Sequence, residues 1–400
     1  MADTGATFAD KVRLLGRVAR VGVGVIRDRV APTRTLRADD VPGSVAQITP
    51  EWLTAVLCKG QPGAKVQGVK LTGGDSGSST RQGLELTLND AARQAGIPQR
   101  LFTKSSPTFI QRMFLGLTDA ALGEIGFYRQ IRPQLDIEAP RGYHACMDRS
   151  TWRSMILMDD IAATRGAKFI STETYIDKSK MSDLLGNMAR WHAAFWDHAQ
   201  LRRELAWVRT PAQFLTDMSK FISFKGRALL AMEKYPHLLP ANMLGQGESL
   251  WNALQASYQI NLRMPATFLH GDAHIGQTYI TRDGRMGYGD WQLVQRGGWA
   301  ADFAYGLTSA LTIDDRRNWD RDLLRQYLDA LHAAGGPKLD FDAAWLSYRQ
   351  HTLYPFFAWA FTRAGAGAVM PDMQPDSVCN DIMTRTAHAV SDLESIAAVQ

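Results

Sequence analysis

His270-Gly271-Asp272-Ala273-His274-Ile275-Gly276-Gln277, then Thr278-Tyr279-Ile280, a polar turn Thr281–Arg285 and Met286-Gly287-Tyr288-Gly289-Asp290, is the stretch around which this 400-residue chain is organised. An apolar run, Ala266–Leu269, ends in a packed polar cluster, and a hairpin follows it. Asp283-Gly284 between two short β-prone runs is a strong hairpin signal, because both central positions of a two-residue turn favour φ > 0. A hairpin joins its ends, so Asp272 and Gln277 before it and Asp290 after it are expected to face one small volume. Two carboxylates and an amide oxygen converging on one spot suit a hard divalent cation with oxygen ligands.

His-Gly-Asp, a second ligand position five residues after that Asp, and a hairpin to a further Asp together resemble the catalytic core of the aminoglycoside phosphotransferase-like kinases. The wording is most similar to their ecdysteroid-kinase-like branch, through Gly289-Asp290-Trp291-Gln292 and Asp302-Phe303-Ala304-Tyr305. The same logic runs through protein kinases, with a catalytic-loop Asp, a metal-binding Asn and a second metal-binding Asp. One departure stands out: the family's second metal position is normally Asn, and Gln277 adds a methylene there.

The resemblance implies an α+β, protein-kinase-like fold of two lobes: an N-terminal antiparallel sheet plus helix, and a larger, mainly helical C-terminal lobe. On this division residues 1–45 are a basic extension and linker, 46–160 the nucleotide-binding lobe, and 161–400 the helical lobe with catalytic loop and acceptor pocket. It implies ATP and Mg2+, with Asp272 accepting or orienting the acceptor hydroxyl's proton and Gln277 and Asp290 holding the metal. His270 supports the loop, and Asp302, at the start of a helix, ties the loop down through its backbone.

Bulk properties narrow the field. A chain that is 45% hydrophobic and 21% charged is an ordinary globular composition, and no apolar run approaches the eighteen or so residues that span a bilayer. Cys58, Cys146 and Cys379 are far apart, without metal-ligand spacing, which fits a reducing cytoplasm. A net charge of +5 favours an anionic partner such as a nucleoside triphosphate. The basic residues are scattered with no nucleic-acid motif, so nucleic acid is not expected as a partner.

In the basic leader, Lys11, Arg13, Arg17, Arg20, Arg27 and Arg29 lie among Val and Leu. It lacks a secretory pattern. A membrane-surface helix is one reading; a helix packed on the main body is the plainer expectation. Thr49-Pro50-Glu51 then opens a short helix. Strand-like runs Lys65–Leu71 and Gln82–Leu88 flank Thr72-Gly73-Gly74-Asp75-Ser76-Gly77-Ser78-Ser79-Thr80, a loop in which Gly74, Ser76, Gly77 and Ser78 are candidates for covering phosphates. It is not a Walker loop.

Arg100–Lys104 reads as a third strand with Lys104 in an apolar setting, costly unless paired. A helix expected from near Thr118 sets Glu124 beside a stripe of Phe127, Tyr128 and Ile131. A strand lysine facing a helix glutamate is the kinase phosphate-holding pair. Trp152–Asp160 is an apolar strand ending in acid, where the resemblance places the hinge, with backbone groups of Leu157, Met158 and Asp159 toward adenine; a buried edge strand is the plain alternative.

Beyond it, Met181, Leu184, Leu185, Met188, His192 and Phe195 form a core-helix stripe, and residues 201–264 and 319–395 read as further helices. The aromatics Trp345, Tyr348, Tyr354, Phe356, Phe357, Trp359 and Phe361 are mainly core, with some available to wall an apolar acceptor pocket. The expected acceptor is a small, weakly charged hydroxylated molecule of steroid- or lipid-like character. Two rivals remain: a degenerate kinase acting as a nucleotide-binding scaffold, suggested by Gln277, and a hydrolase binding zinc through His270, Asp272 and His274 on one strand face.

Overall fold

The computed structural model describes residues 7–32, 34–220, 222–365 and 374–400. It divides into two compact units, one running to Gln134 and resuming over Pro140–Ala167, the other made of Leu135–Ala139 with Lys168–Gln400.

The first unit carries helices α1 (Phe8–Val30) and α2 (Pro50–Leu57), strands β1 (Val66–Ser76) and β2 (Thr80–Leu88), α3 (Asp90–Gln94), β3 (Arg100–Ser105), α4 (Phe109–Leu117), α5 (Ala120–Gly126), β4 (Gly142–Asp148), β5 (Arg153–Asp159) and α6 (Ile161–Arg165). Its five strands form one antiparallel sheet in the order β1-β2-β3-β5-β4. Alternate residues of β2 (Leu84, Leu86 and Leu88) point into a core with Leu101, Met155 and Leu157, closed by Trp52 and Leu53 of α2. The Thr49 side chain caps α2, with Pro50 in its first turn where no backbone donor is needed.

Three sequence expectations change here. The glycine–serine segment is mostly strand: β1 runs through Ser76, Gly74 pairs with Gln82, and only residues 77–79 turn. A Cβ at Gly74 would sit 2.4 Å from the Arg81 carbonyl oxygen, so the glycine lets the two backbones approach. The helix expected near Thr118 is two elements, because Thr118 caps the end of α4 and Asp119 turns left-handed (φ 55°) before α5. A wider π-helical turn over Phe127–Ile131 then keeps Phe127, Tyr128 and Ile131 buried. Finally, β5 is not an edge strand; it lies between β3 and β4.

The N-terminal helix packs on this unit. Val21 and Val25 are buried, and the Asp28 carboxylate accepts from Arg112 at 2.6 Å and Arg153 at 2.8 Å.

The second unit comprises β6 (Lys168–Phe169), α7 (Lys178–Ala194), α8 (Pro211–Ser219), α9 (Phe224–Lys234), α10 (Gly247–Arg263), β7 (Thr267–Leu269), β8 (Thr278–Ile280), β9 (Met286–Tyr288), β10 (Gln295–Gly297), α11 (Ala300–Ala310), α12 (Ile313–Ala333), α13 (Phe341–His351), α14 (Leu353–Arg363), α15 (Asp376–Asp392) and α16 (Ser395–Ala398). Of the stretch 319–395 expected to be helical, residues 366–373 lie outside the described residues. The aromatic run is interrupted next to Pro355: α13 ends at His351, and Pro355 occupies the first turn of α14, where proline is tolerated. Leu135–Ala139 joins this unit because Glu138 is held on three sides. Its carbonyl accepts from Tyr288 N (3.1 Å) and Asn187 Nδ2 (3.0 Å), its N–H bonds the Asn187 side-chain oxygen (3.0 Å), and its carboxylate accepts from Tyr279 (2.8 Å).

An antiparallel sheet with helices and a larger, mainly helical part make this an α+β, protein-kinase-like fold. Among the described residues no helix is long and apolar enough to cross a membrane.

Candidate active site

Strand β7 is wholly buried and ends at Leu269, after which the chain leaves the sheet. Gly271 turns with φ +77°, and a Cβ there would lie 2.0 Å from the Leu293 carbonyl oxygen. Only glycine fits both demands. The loop is then clamped from helix α11: Asp302 accepts the backbone N–H of His270 at 2.6 Å and of Gly271 at 2.9 Å.

Asp302 itself is 1% exposed and is supported in turn. His192 Nε2, 3.3 Å away, donates to it, while His192 Nδ1 accepts from the Tyr327 hydroxyl at 2.7 Å. Burial pushes the His192 ring below its ordinary pKa, which suits a neutral ring with one donor and one acceptor nitrogen. Sequence periodicity places His192 in the core but carries no sign of its tie to Asp302.

His270 is fully buried with both ring nitrogens engaged. Its Nε2 donates to the Gly289 carbonyl at 2.9 Å and its Nδ1 accepts from Asp272 N–H at 3.3 Å. Burial again lowers its pKa. This overturns the zinc reading. The strand has ended, so His270, Asp272 and His274 do not alternate on a strand face, and His270 has no nitrogen left for a metal. Among the described residues no group of three His, Cys, Asp or Glu has a metal-binding arrangement.

Asp272 retains 18% side-chain exposure. Gln277 Nε2 donates to its Oδ2 at 3.0 Å, and His274 Nε2 lies 3.5 Å from the same oxygen. Burial opposes ionisation, but the His274 ring and the hydrogen bonds from His274 and Gln277 prevail and hold this carboxyl below the usual carboxylate range. His274, given no part in the kinase reading of the sequence, is therefore a neighbour of the central carboxylate. Tyr305 and Trp359 pack on its ring at 5.8 and 5.1 Å.

The hairpin is built otherwise than its Asp-Gly signal implies. Of its turn residues only Gly284 has positive φ (+85°), and five residues, Thr281–Arg285, connect β8 to β9. Thr281 accepts from Gly284 N and bonds Arg285, the three-to-five-residue form with a left-handed glycine. At its open end Gly289 N–H donates to the Gln277 backbone carbonyl at 2.7 Å, which sets the Gln277 backbone beside the Gly289-Asp290 segment. Asp290 adopts a left-handed backbone (φ 52°, ψ 66°), a conformation that costs a non-glycine residue about 1 kcal/mol or more. The charges of Asp272 and Asp290 both act on the His270 ring.

In the first unit, Lys104 Nζ lies 2.8 Å from Glu124 Oε1, and both residues are buried. The hairpin tip is exposed at Gly74, Ser76, Gly77 and Ser78. Gln111, in the first turn of α4, anchors it by donating to Ser76 Oγ (3.2 Å), the Gly77 carbonyl (3.1 Å) and Thr80 Oγ1 (3.2 Å). Leu157 and Met158 are paired with β3 on one side and β4 on the other, and Asp159 N–H donates to the Arg141 carbonyl at 2.9 Å. Their backbone groups are thus not the open edge that an adenine-binding segment needs. The Asp159 carboxylate instead accepts from Arg141 N, Tyr143 and Arg165.

A family model described as the phosphotransferase enzyme family matches residues 100–341, more than half of the chain. A search of curated proteins finds no match. Among solved structures, the GDP complex of an aminoglycoside 2'-phosphotransferase-IIIa is 12% identical, covering 87% of this chain and 99% of its own, with a TM-score of 0.44. An ethanolamine kinase from Plasmodium vivax is 12% identical over 82% and 83%, with a TM-score of 0.45. A choline/ethanolamine kinase family protein from Mesorhizobium loti is 15% identical over 87% and 96%, with a TM-score of 0.43. The family match takes in Lys104, Glu124, the whole His270–Asp290 loop and Asp302, and the chain accordingly belongs to the phosphotransferase enzyme family.

Proposed function

We propose that this enzyme is a small-molecule kinase that transfers the γ-phosphate of ATP, with Mg2+, to a hydroxyl of a weakly charged acceptor. The observation that carries the reading is the loop fastened by Asp302, which sets Asp272 against Gln277 and Gln277 against the segment leading to Asp290.

The donor set suits a hard cation. Because Gln277 spends its side-chain NH2 on Asp272, its side-chain oxygen Oε1 remains for a metal, alongside the Asp290 carboxylate. Mg2+, when bound, neutralises charge on the phosphates. Asp272, held as a carboxylate of low basicity, orients the acceptor hydroxyl and receives its proton late, as a loose phosphoryl-transfer transition state requires. Lys104, fixed by Glu124, neutralises phosphate charge, and the tip Gly74–Ser78 offers backbone and hydroxyl donors to phosphate oxygens. On this reading residues 46–160 are the nucleotide-binding part and 161–400 hold the catalytic loop and acceptor pocket.

Tyr305 and Trp359 around His274 favour an apolar, hydroxylated acceptor of steroid- or lipid-like character, in keeping with the ecdysteroid-kinase-like branch. The three cysteines are free and buried, which agrees with work in the cytoplasm.

Thermal stability with and without Mg2+–ATP tests the nucleotide site before any acceptor is known. Ligand at about a hundred times its dissociation constant should stabilise by roughly 2.7 kcal/mol. The shift should need Mg2+ and shrink in Asp290→Asn. A shift with GTP alone would change the donor, and none with either nucleotide would refute the kinase reading. Mass gain of one phosphoryl group across hydroxylated libraries tests the acceptor; reaction with aminoglycosides alone would refute a lipid-like one.

A further inference from the structure

Helix α1 is packed on one side only. Its buried side presents Val21, Val25 and the Asp28 carboxylate, as described above. On the opposite side Phe8, Val12, Leu15, Ala19, Val23, Ile26 and Val30 recur every three or four residues, so they fall on one line along the helix. This line is in water: the large members range from Val12 at 50% exposed to Phe8 at 83%. About six turns of core-like spacing facing solvent are not explained by the fold. Phe109 and Ile110 at the start of α4, also exposed, widen the strip beside Gly22.

The flanks have one sign. Exposed Lys11 and Arg29 border the strip on one side, and exposed Arg13, Arg20 and Arg27 on the other. The two acids of the helix are withdrawn from this face, Asp10 in the N-terminal capping box and Asp28 in its buried ion pairs. Arg17 is occupied with the Arg149 and Ser150 carbonyls.

A straight, convex apolar line about 34 Å long, bordered on both sides by cations, is the form of a helix lying in a membrane interface. We infer that the exposed face of α1 docks this enzyme on an anionic phospholipid surface, apolar side chains entering the acyl boundary and the flanking Lys and Arg meeting headgroup charge. The inference stands on α1 alone and does not depend on the identity of the acceptor.

Sedimentation of the full chain with vesicles tests it, comparing phosphatidylcholine with phosphatidylcholine containing a third phosphatidylserine. Binding to the anionic vesicles should be about tenfold stronger or more, and should weaken as salt is raised. Leu15→Asp with Ile26→Asp should abolish it, and Arg13→Gln, Arg20→Gln and Arg27→Gln together should reduce it by about tenfold or more. Unchanged melting temperatures would show that both variants fold, as the exposed positions lead one to expect. Failure to bind anionic vesicles, equal binding to neutral ones, or binding indifferent to these substitutions would overturn the inference. So would a wild-type dimer that Leu15→Asp and Ile26→Asp dissociate, since a second copy would then cover the face.

Discussion

Asp302 does its work with both carboxylate oxygens, accepting from the His270 and Gly271 backbones while His192 donates to it from the other side. Asn in its place has one acceptor and turns an NH2 toward a backbone N–H or the His192 donor. At least one buried donor is then left unpaired, at about 1–3 kcal/mol. Asp302→Asn should therefore lower stability by that amount in denaturant unfolding and cut phosphoryl transfer more than tenfold, because the loop that carries Asp272 loses its clamp. Wild-type turnover in the folded variant would show that the clamp is dispensable. Asp272, Asp290 and Asp302 were all legible as residues, because their spacing around the hairpin is a local property. The roles of His192 and His274 were not. Each depends on a partner, Asp302 or the Asp272 carboxylate, that local pattern does not supply.

Among elements, the loop after β7 is the one whose backbone is least forgiving. At Gly271 a methyl group would meet both a positive φ and the Leu293 carbonyl 2.0 Å away. Gly271→Ala should cost about 2 kcal/mol or more of stability and lose most activity, read together by thermal unfolding and turnover. A neutral outcome would mean that the loop can shift without consequence for Asp272. Element types were readable from pattern: the hairpins, the strand bearing Lys104, the capped helix at Pro50. Their limits were not. Gly74 and Ser76 looked like loop by composition, yet pairing with β2 draws them into strand. The split between α4 and α5 hangs on one left-handed residue, Asp119, which has no composition signal.

At the scale of the whole molecule, buried histidines make stability depend on pH. Burial lowers His351 to about 4; its Nδ1 donates to the Ser347 carbonyl at 2.7 Å and its Nε2 accepts from Asn261 at 3.0 Å. Protonation would set an N–H against the Asn261 NH2. The unfolded ring titrates near 6.5, so between about 6.5 and 4 the unfolded chain binds the extra proton and stability falls as pH falls. The loss from His351 approaches about 3 kcal/mol at pH 4 and is absent above about 7. Urea unfolding across this window should show a slope that His351→Asn diminishes; an unchanged slope would mean that this ring does not set it.

What the sequence determined by itself was the chemistry: residue types and short spacings around His270–Asp290, the Lys104 strand and the Asp302 helix start identify a phosphotransferase core, because such a core repeats over a few local turns of chain. What only the tertiary structure decided was which groups are already engaged. His270 has no nitrogen free for zinc, Leu157 and Met158 lie inside a sheet, Gln277 is turned toward Asp272, and one side of α1 is buried while the other meets water. Hydrogen-bond partners and burial depend on elements far apart in the chain, and those contacts exist only once the elements have packed.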